Sequence, residues 1–245
     1  MQQVEFVCLA LSRKYGGTCA AGLRTDGTGW IRPVGSQEAG ALSPEERLLL
    51  GGTPPRLLDV LRVPVSGPDP KSWQPENCRL APGRWGLVAR PAPPELVPLI
   101  KRHLVPGPLL FGTGDNRIPL AQISKNKVAA SLALVAPEHL HWEVRLTSSL
   151  SKQLRACFYL SGQRYSLAVT DVVCERQVLA RAQAAGVRPA PLEEPRAGDL
   201  LLTVSLGEPY ERDQCCYKLV AGVMVLTKAG LCGWSQGQLS AGVGR

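Results

Sequence analysis

Nowhere in these 245 residues do cysteines form a C-x-x-C pair, although eight are present: Cys8, Cys19, Cys78, Cys157, Cys174, Cys215, Cys216 and Cys232. The usual zinc spacing is therefore missing, and no metal or cofactor is expected. No charged amino-terminal region leads into an apolar one, so nothing signals export into an oxidising compartment. The cysteines are expected to be thiols, most of them small core residues on strands. The longest apolar run, Leu219 to Leu226, is far too short to span a bilayer as a helix, which implies no membrane partner and a cytoplasmic location. Also absent are G-x-S-x-G, H-E-x-x-H and the Walker pattern G-x-x-x-x-G-K-[ST]. Of three histidines, His139 and His141 form an H-x-H pair on one strand, but no third ligand follows at a recognised spacing. Catalysis has few residues to work with.

What the chain does carry is positive charge. Twenty-eight Lys and Arg stand against twenty Asp and Glu, and the net charge of +8 favours an anionic partner such as nucleic acid or a nucleotide. Twenty of those cations are arginine, a bias that a GC-rich genome also produces. The length exceeds what one small barrel needs, so two domains are expected, roughly 1–128 and 129–230, with a flexible tail at 231–245.

Short alternating runs separated by Gly, Pro, Asp and Ser clusters make the chain β-rich. Strands are predicted at residues 4–11, 18–24, 30–34, 58–65 and 84–89, then at 131–135, 141–146, 154–160, 164–170, 200–206 and 217–226. Asp26-Gly27-Thr28-Gly29 suits a tight hairpin, because its glycines accept positive φ. Helices are predicted over 43–50, where Ser43-Pro44-Glu45-Glu46 is a capping signal, and over 94–104 and 175–185. The proline-bearing stretch 186–198 is predicted to be a stiff connection.

The densest chemistry lies near the start. Ser12, Arg13 and Lys14 precede Tyr15-Gly16-Gly17, and Trp30 and Arg32 follow on the adjacent strand. Side chains sharing one face of such a hairpin would form a phosphate clamp beside a base-stacking ring. The competing reading has Trp30 packing the barrel mouth and Arg32 in a structural ion pair. Gly112 to Arg117 offers backbone N–H groups and the Arg117 cation as an anion nest, or else a plain surface loop. Asp171, at a strand end, suits either orienting a cation such as Lys218 or a backbone-bonded turn. Lys218 stands in an otherwise apolar strand, where a buried lysine needs a partner.

Several segments together resemble bacterial proteins with a dual OB-containing domain. They are Cys8 to Gly22, Gly29 to Val34, Tyr165 to Asp171, Val204 to Tyr210 and Cys216 to Gly222. Where that family's pattern continues from T-D into proline, this chain has Val172. The resemblance implies two OB-like β-barrels with a few short helices. OB barrels bind oligonucleotides and other ligands on one sheet face. The leading expectation is a non-catalytic module for single-stranded nucleic acid or a nucleotide, with Ser12, Arg13, Lys14, Trp30, Arg32, Arg117, Asp171 and Lys218 as its contacts. The alternatives are a metal-dependent nuclease or nucleotide-processing enzyme using Asp171, Glu208, Glu211 and Lys218, and an adaptor for a protein partner.

Overall fold

The structure, a computed structural model, describes residues 2–90, 94–126, 128–147, 151–184, 192–193, 200–227 and 230–233. The first part holds strands β1 (Gln2–Lys14), β2 (Gly17–Arg24), β3 (Trp30–Val34), β4 (Val60–Pro68), β5 (Asn77–Leu80) and β6 (Gly86–Ala89). They bond in the order β1-β2-β3-β5-β4, and β4 returns to β1, so five strands close into a barrel with β6 on its β4 side. Only β3 and β5 among these neighbours run parallel. Closure falls to β1, whose residues 2–7 pair with β4 while residues 6–14 pair with β2. This is a Greek-key barrel of the OB type.

A 3-10 turn at Pro94–Leu96, α1 (Val97–Arg102), β7 (Arg117–Pro119) and α2 (Leu120–Asn126) lead on. Then come β8 (Leu132–Val135), β9 (Glu138–Leu146), β10 (Lys152–Leu160), β11 (Gln163–Val169), α3 (Val172–Ala184), β12 (Leu192–Glu193), β13 (Leu200–Tyr210), β14 (Cys215–Thr227) and β15 (Gly230–Gly233). The order β9-β10-β11-β14-β13-β8 repeats the first barrel's, again with the third and last strands, β11 and β14, parallel. Only Ala136-Pro137 separates β8 from β9, and proline has no N–H for the ladder. The two segments therefore act as one interrupted strand, pairing with β13 through β8 and with β10 through β9. The fold is mainly β: two OB-like barrels with a few short helices.

Some elements differ from expectation. No helix forms over 43–50; Ser43 and Glu46 exchange capping bonds, with Oγ accepting from the Glu46 N–H at 3.2 Å. The Glu46 carboxylate accepts from the Ser43 N–H at 2.8 Å. A single turn results, because Leu49 bridges to Trp85 and Leu50 donates to the Trp85 carbonyl, drawing the chain back against the barrel. Strand β7 pairs with β14, so the second sheet takes a strand from before residue 128. Gly230–Gly233, expected to fray, forms β15 against β14. Residues 234–245 and most of 186–198 lie outside the described residues. All eight cysteines are free thiols, six of them buried.

Each barrel has its own core, one around Phe6, Ile31 and Trp85, the other around Trp142, Phe158 and Tyr165. Between them lies a third apolar layer that includes Val7, Leu9, Leu23, Leu134, Leu201 and Met224, beside a patch of Ala10, Ala21, Leu132 and Ala221. Both faces of β1 are therefore buried, with Phe6 and Cys8 turned into the first core and Val7 and Leu9 into the junction. Backbones meet closely there: a Cβ on Gly222 of β14 would overlap the Leu9 carbonyl oxygen of β1. Gly222→Ala is expected to destabilise the protein by about 1–3 kcal/mol through overpacking. Gly51→Ala, at a site with open space around it, should change stability by less than about 0.5 kcal/mol. Chemical denaturation of both variants checks the contrast.

Candidate functional site

The β1–β2 hairpin turns in two residues, Tyr15 and Gly16, with Lys14 opposite Gly17 in register. Both turn residues have positive φ, 40° and 75°, as a type I′ turn requires. Glycine and asparagine suit that geometry, whereas a bulky tyrosine is strained in it. The turn places the Tyr15 ring at the hairpin tip, 57% exposed, at the cost of that strain. On the β13 side, register shifts at Leu206/Pro209 kink the strand, which ends in Tyr210, 47% exposed. Tyr210 meets Tyr217 of β14 edge to face, with ring centroids 6.1 Å apart.

Between hairpin and kinked strand lies a cleft of about 550 Å³, walled by Arg13, Lys14 and Tyr15 on one side and by Glu208, Tyr210 and Tyr217 on the other. Lys14 Nζ is 2.7 Å from one Glu208 carboxylate oxygen, and the Trp73 indole N–H donates to the other at 2.8 Å. Arg13 pairs with Glu175 of α3 yet keeps its side chain about half exposed. The floor is Arg32, only 3% exposed. Its guanidinium donates to Glu76 at 3.0 Å, to the Ser131 and Ser205 hydroxyls at 2.7 and 3.1 Å, and to Cys19 Sγ at 3.2 Å. Glu76 comes from the first barrel, and Ser205 stands on β13 of the second, so the cleft floor is also a clasp between them.

A family model described as the dual OB-containing domain matches residues 4–223, most of the chain. This chain belongs to the dual OB-containing domain family. No curated protein matches it. No helix among its described residues is long and apolar enough to cross a membrane.

In this dual OB-containing protein, Ser12, Arg13 and Lys14 line the cleft, without Trp30. Ser12 is buried and bridges to Asp171, while the Arg13 N–H donates to the Thr170 carbonyl at 3.0 Å. Trp30 is not an open stacking surface, because the second barrel covers it with Leu132 and Ala221. The guanidinium of Arg32 is committed to the clasp, which matches the ion-pair reading. Arg117 lies beyond the cleft wall, bonded to Asp213 at 2.6 Å and to the Tyr217 hydroxyl at 2.9 Å.

Asp171 and Lys218 are not brought together. One Asp171 oxygen accepts the Val173 and Cys174 N–H groups, capping α3, and the other accepts the Val223 N–H at 3.0 Å. Burial pushes that carboxyl up to about 6. Lys218 instead reaches into the Gly112 to Arg117 loop, donating to the Thr113 carbonyl at 2.7 Å with Nζ 5.3 Å from the Tyr165 ring centre. That loop thus turns a carbonyl toward a cation, the reverse of an anion nest. The supposed nuclease set does not converge: Asp171 caps a helix, Glu208 is held in the cleft, and Lys218 lies under the loop.

Tyr15, Tyr210 and Trp73 carry no site role in the sequence reading, and Glu208 enters it only as a nuclease carboxylate, not as a residue of this cleft. The signal at Tyr15 was present, a tyrosine before glycine where a type I′ turn calls for asparagine. Nothing local marks Trp73, which reaches Glu208 only through the barrel junction.

Burial lowers Lys218 to about 8, from an ordinary value near 10.5. The folded state binds its proton less tightly than the unfolded chain does, so stability contributed by this site rises as pH climbs from about 8 to 10.5. Lys218→Met should therefore be more stable than the wild type near pH 7. The gap should hold below pH 8 and narrow above it, which parallel denaturation curves across that range measure.

Proposed function

We propose that the inter-barrel cleft binds a segment of single-stranded nucleic acid. The observation that carries this reading is the set of tyrosines around the cleft, with Tyr15 and Tyr210 held exposed beside the Arg13 and Lys14 cations. Single-strand binders combine base stacking on aromatic rings with cations that follow the phosphates. A ring kept at the tip of a strained turn fits that use, since an asparagine there would serve the turn better. Glu208, anchored by Lys14 and Trp73, retains acceptor capacity for an exocyclic amino group of a base.

The cations are largely matched by carboxylates, so stacking is the main source of affinity and charge the lesser one. Two phosphates neutralised by Arg13 and Lys14 correspond to a slope of log affinity against log salt of about −1.4. The test is a fluorescence titration with short labelled DNA and RNA oligomers at two salt concentrations. A nucleoside monophosphate serves as competitor, because a free nucleotide offers the same base and phosphate on a smaller scale. Tyr15→Asn should weaken binding by about 5- to 150-fold, the range for loss of one base stack, while stability holds or rises. No binding at low salt, or unchanged binding by Tyr15→Asn, would contradict the proposal.

A further inference from the structure

A separate cluster lies on the outer face of the second barrel. Along β9, Leu140 and Trp142 enter the core, so the intervening His141 and Glu143 point outward. In register across from His141 on β10 stands Cys157, between the core residues Ala156 and Phe158. Cys157 thus faces outward yet is wholly buried, beneath polar side chains and outside the apolar core. One ligand atom each from His141, Glu143 and Cys157 lies within 4.8 Å of the others, with His141 Nε2 3.5 Å from a Glu143 oxygen. A tetrahedral centre with bonds of about 2.0–2.3 Å holds its ligand atoms roughly 3.5 Å apart.

We propose that His141, Glu143 and Cys157 form a three-ligand site for a zinc-class divalent ion, with the fourth position left for water or an outside ligand. The donor set selects the metal. Thiolate and imidazole suit Zn²⁺ and its spectroscopic substitute Co²⁺, whereas Mg²⁺ and Ca²⁺ prefer all-oxygen sets. On coordination the Cys157 thiol gives its proton to solvent, and thiolate plus carboxylate balance the two charges of the ion. Two arginines are near. Arg145 pairs with Glu143 at 2.7 Å with its side chain about half exposed, while Arg155 bonds the Ser166 hydroxyl and carbonyl, the same hydroxyl that accepts from the Cys157 thiol at 3.3 Å and that the thiol releases on coordination. His139 takes no part, because its positive φ of 52° breaks the alternation and its ring packs against Tyr159.

The test is titration of the full chain with Co²⁺ under reducing, anaerobic conditions. The wild type should show a sulfur-to-cobalt charge-transfer absorption that Cys157→Ser abolishes and that Cys78→Ser, in the other barrel, leaves intact. His141→Ala, a change at a partly exposed position outside the apolar core, should weaken Co²⁺ binding by about tenfold or more while the circular dichroism spectrum stays that of the folded protein, since loss of even an outer-shell partner costs that much. Absence of the band in the wild type, its survival in folded Cys157→Ser, or unchanged affinity in His141→Ala would each overturn the proposal.

Discussion

The approach of β1 to β14 is the contact on which the rest of this molecule depends. Two OB-like barrels of ordinary size could each bury a core, yet here the first strand of one and the last long strand of the other meet backbone to side-chain-free backbone, at Leu9 and Gly222. Alanines at 10, 21 and 221 keep the surrounding surface low enough for that approach. Both strands then lose their solvent face, which is why each reads as a nearly unbroken apolar run. Desolvating the junction also sets the polar chemistry at its rim. The Arg32 guanidinium is buried there only because Glu76, Ser131 and Ser205 meet it from both barrels.

The cleft follows from that clasp. Docking of the barrels brings the β1–β2 hairpin tip over the kinked end of β13, so the walls belong to different barrels and neither contains the site alone. The charges along it are nearly matched, Lys14 with Glu208 and Arg13 with Glu175. That balance fixes the positions of the side chains more than it attracts a polyanion, and it leaves the tyrosine rings as the unsatisfied surface. The strained Tyr15 turn has the same logic, giving up local stability to hold a ring in solvent.

Much of the fold was legible. Alternation located most strands, and the Ala, Gly and Cys-rich segments quoted for the family resemblance turn out to sit at or near the barrel junction. The helix expected over 175–185 runs over 172–184, starting earlier because Asp171, read as a turn residue, caps its first turn. Periodicity could not show that a strand's second face is covered by another barrel, and this is why Trp30 and Arg32 read as a ligand face. Ser43 and Glu46 carried a correct capping signal, but Leu49 and Leu50 were drawn into pairing with Trp85 before a helix could extend. The H-x-H pair lies on the strand that carries the proposed metal cluster, but its spacing does not point to Cys157, which meets His141 only through cross-strand register.

The central claim is that ligand enters between the barrels, and where a bound strand lies can be measured directly. A short single-stranded oligomer carrying a photoreactive base, crosslinked to the full chain and mapped by peptide mass spectrometry, reports the residues that touch it. The account predicts adducts at Tyr15, Tyr210 or Tyr217. Adducts confined to another surface, such as the outer face of β9 and β10, or none at saturating oligomer, would contradict it.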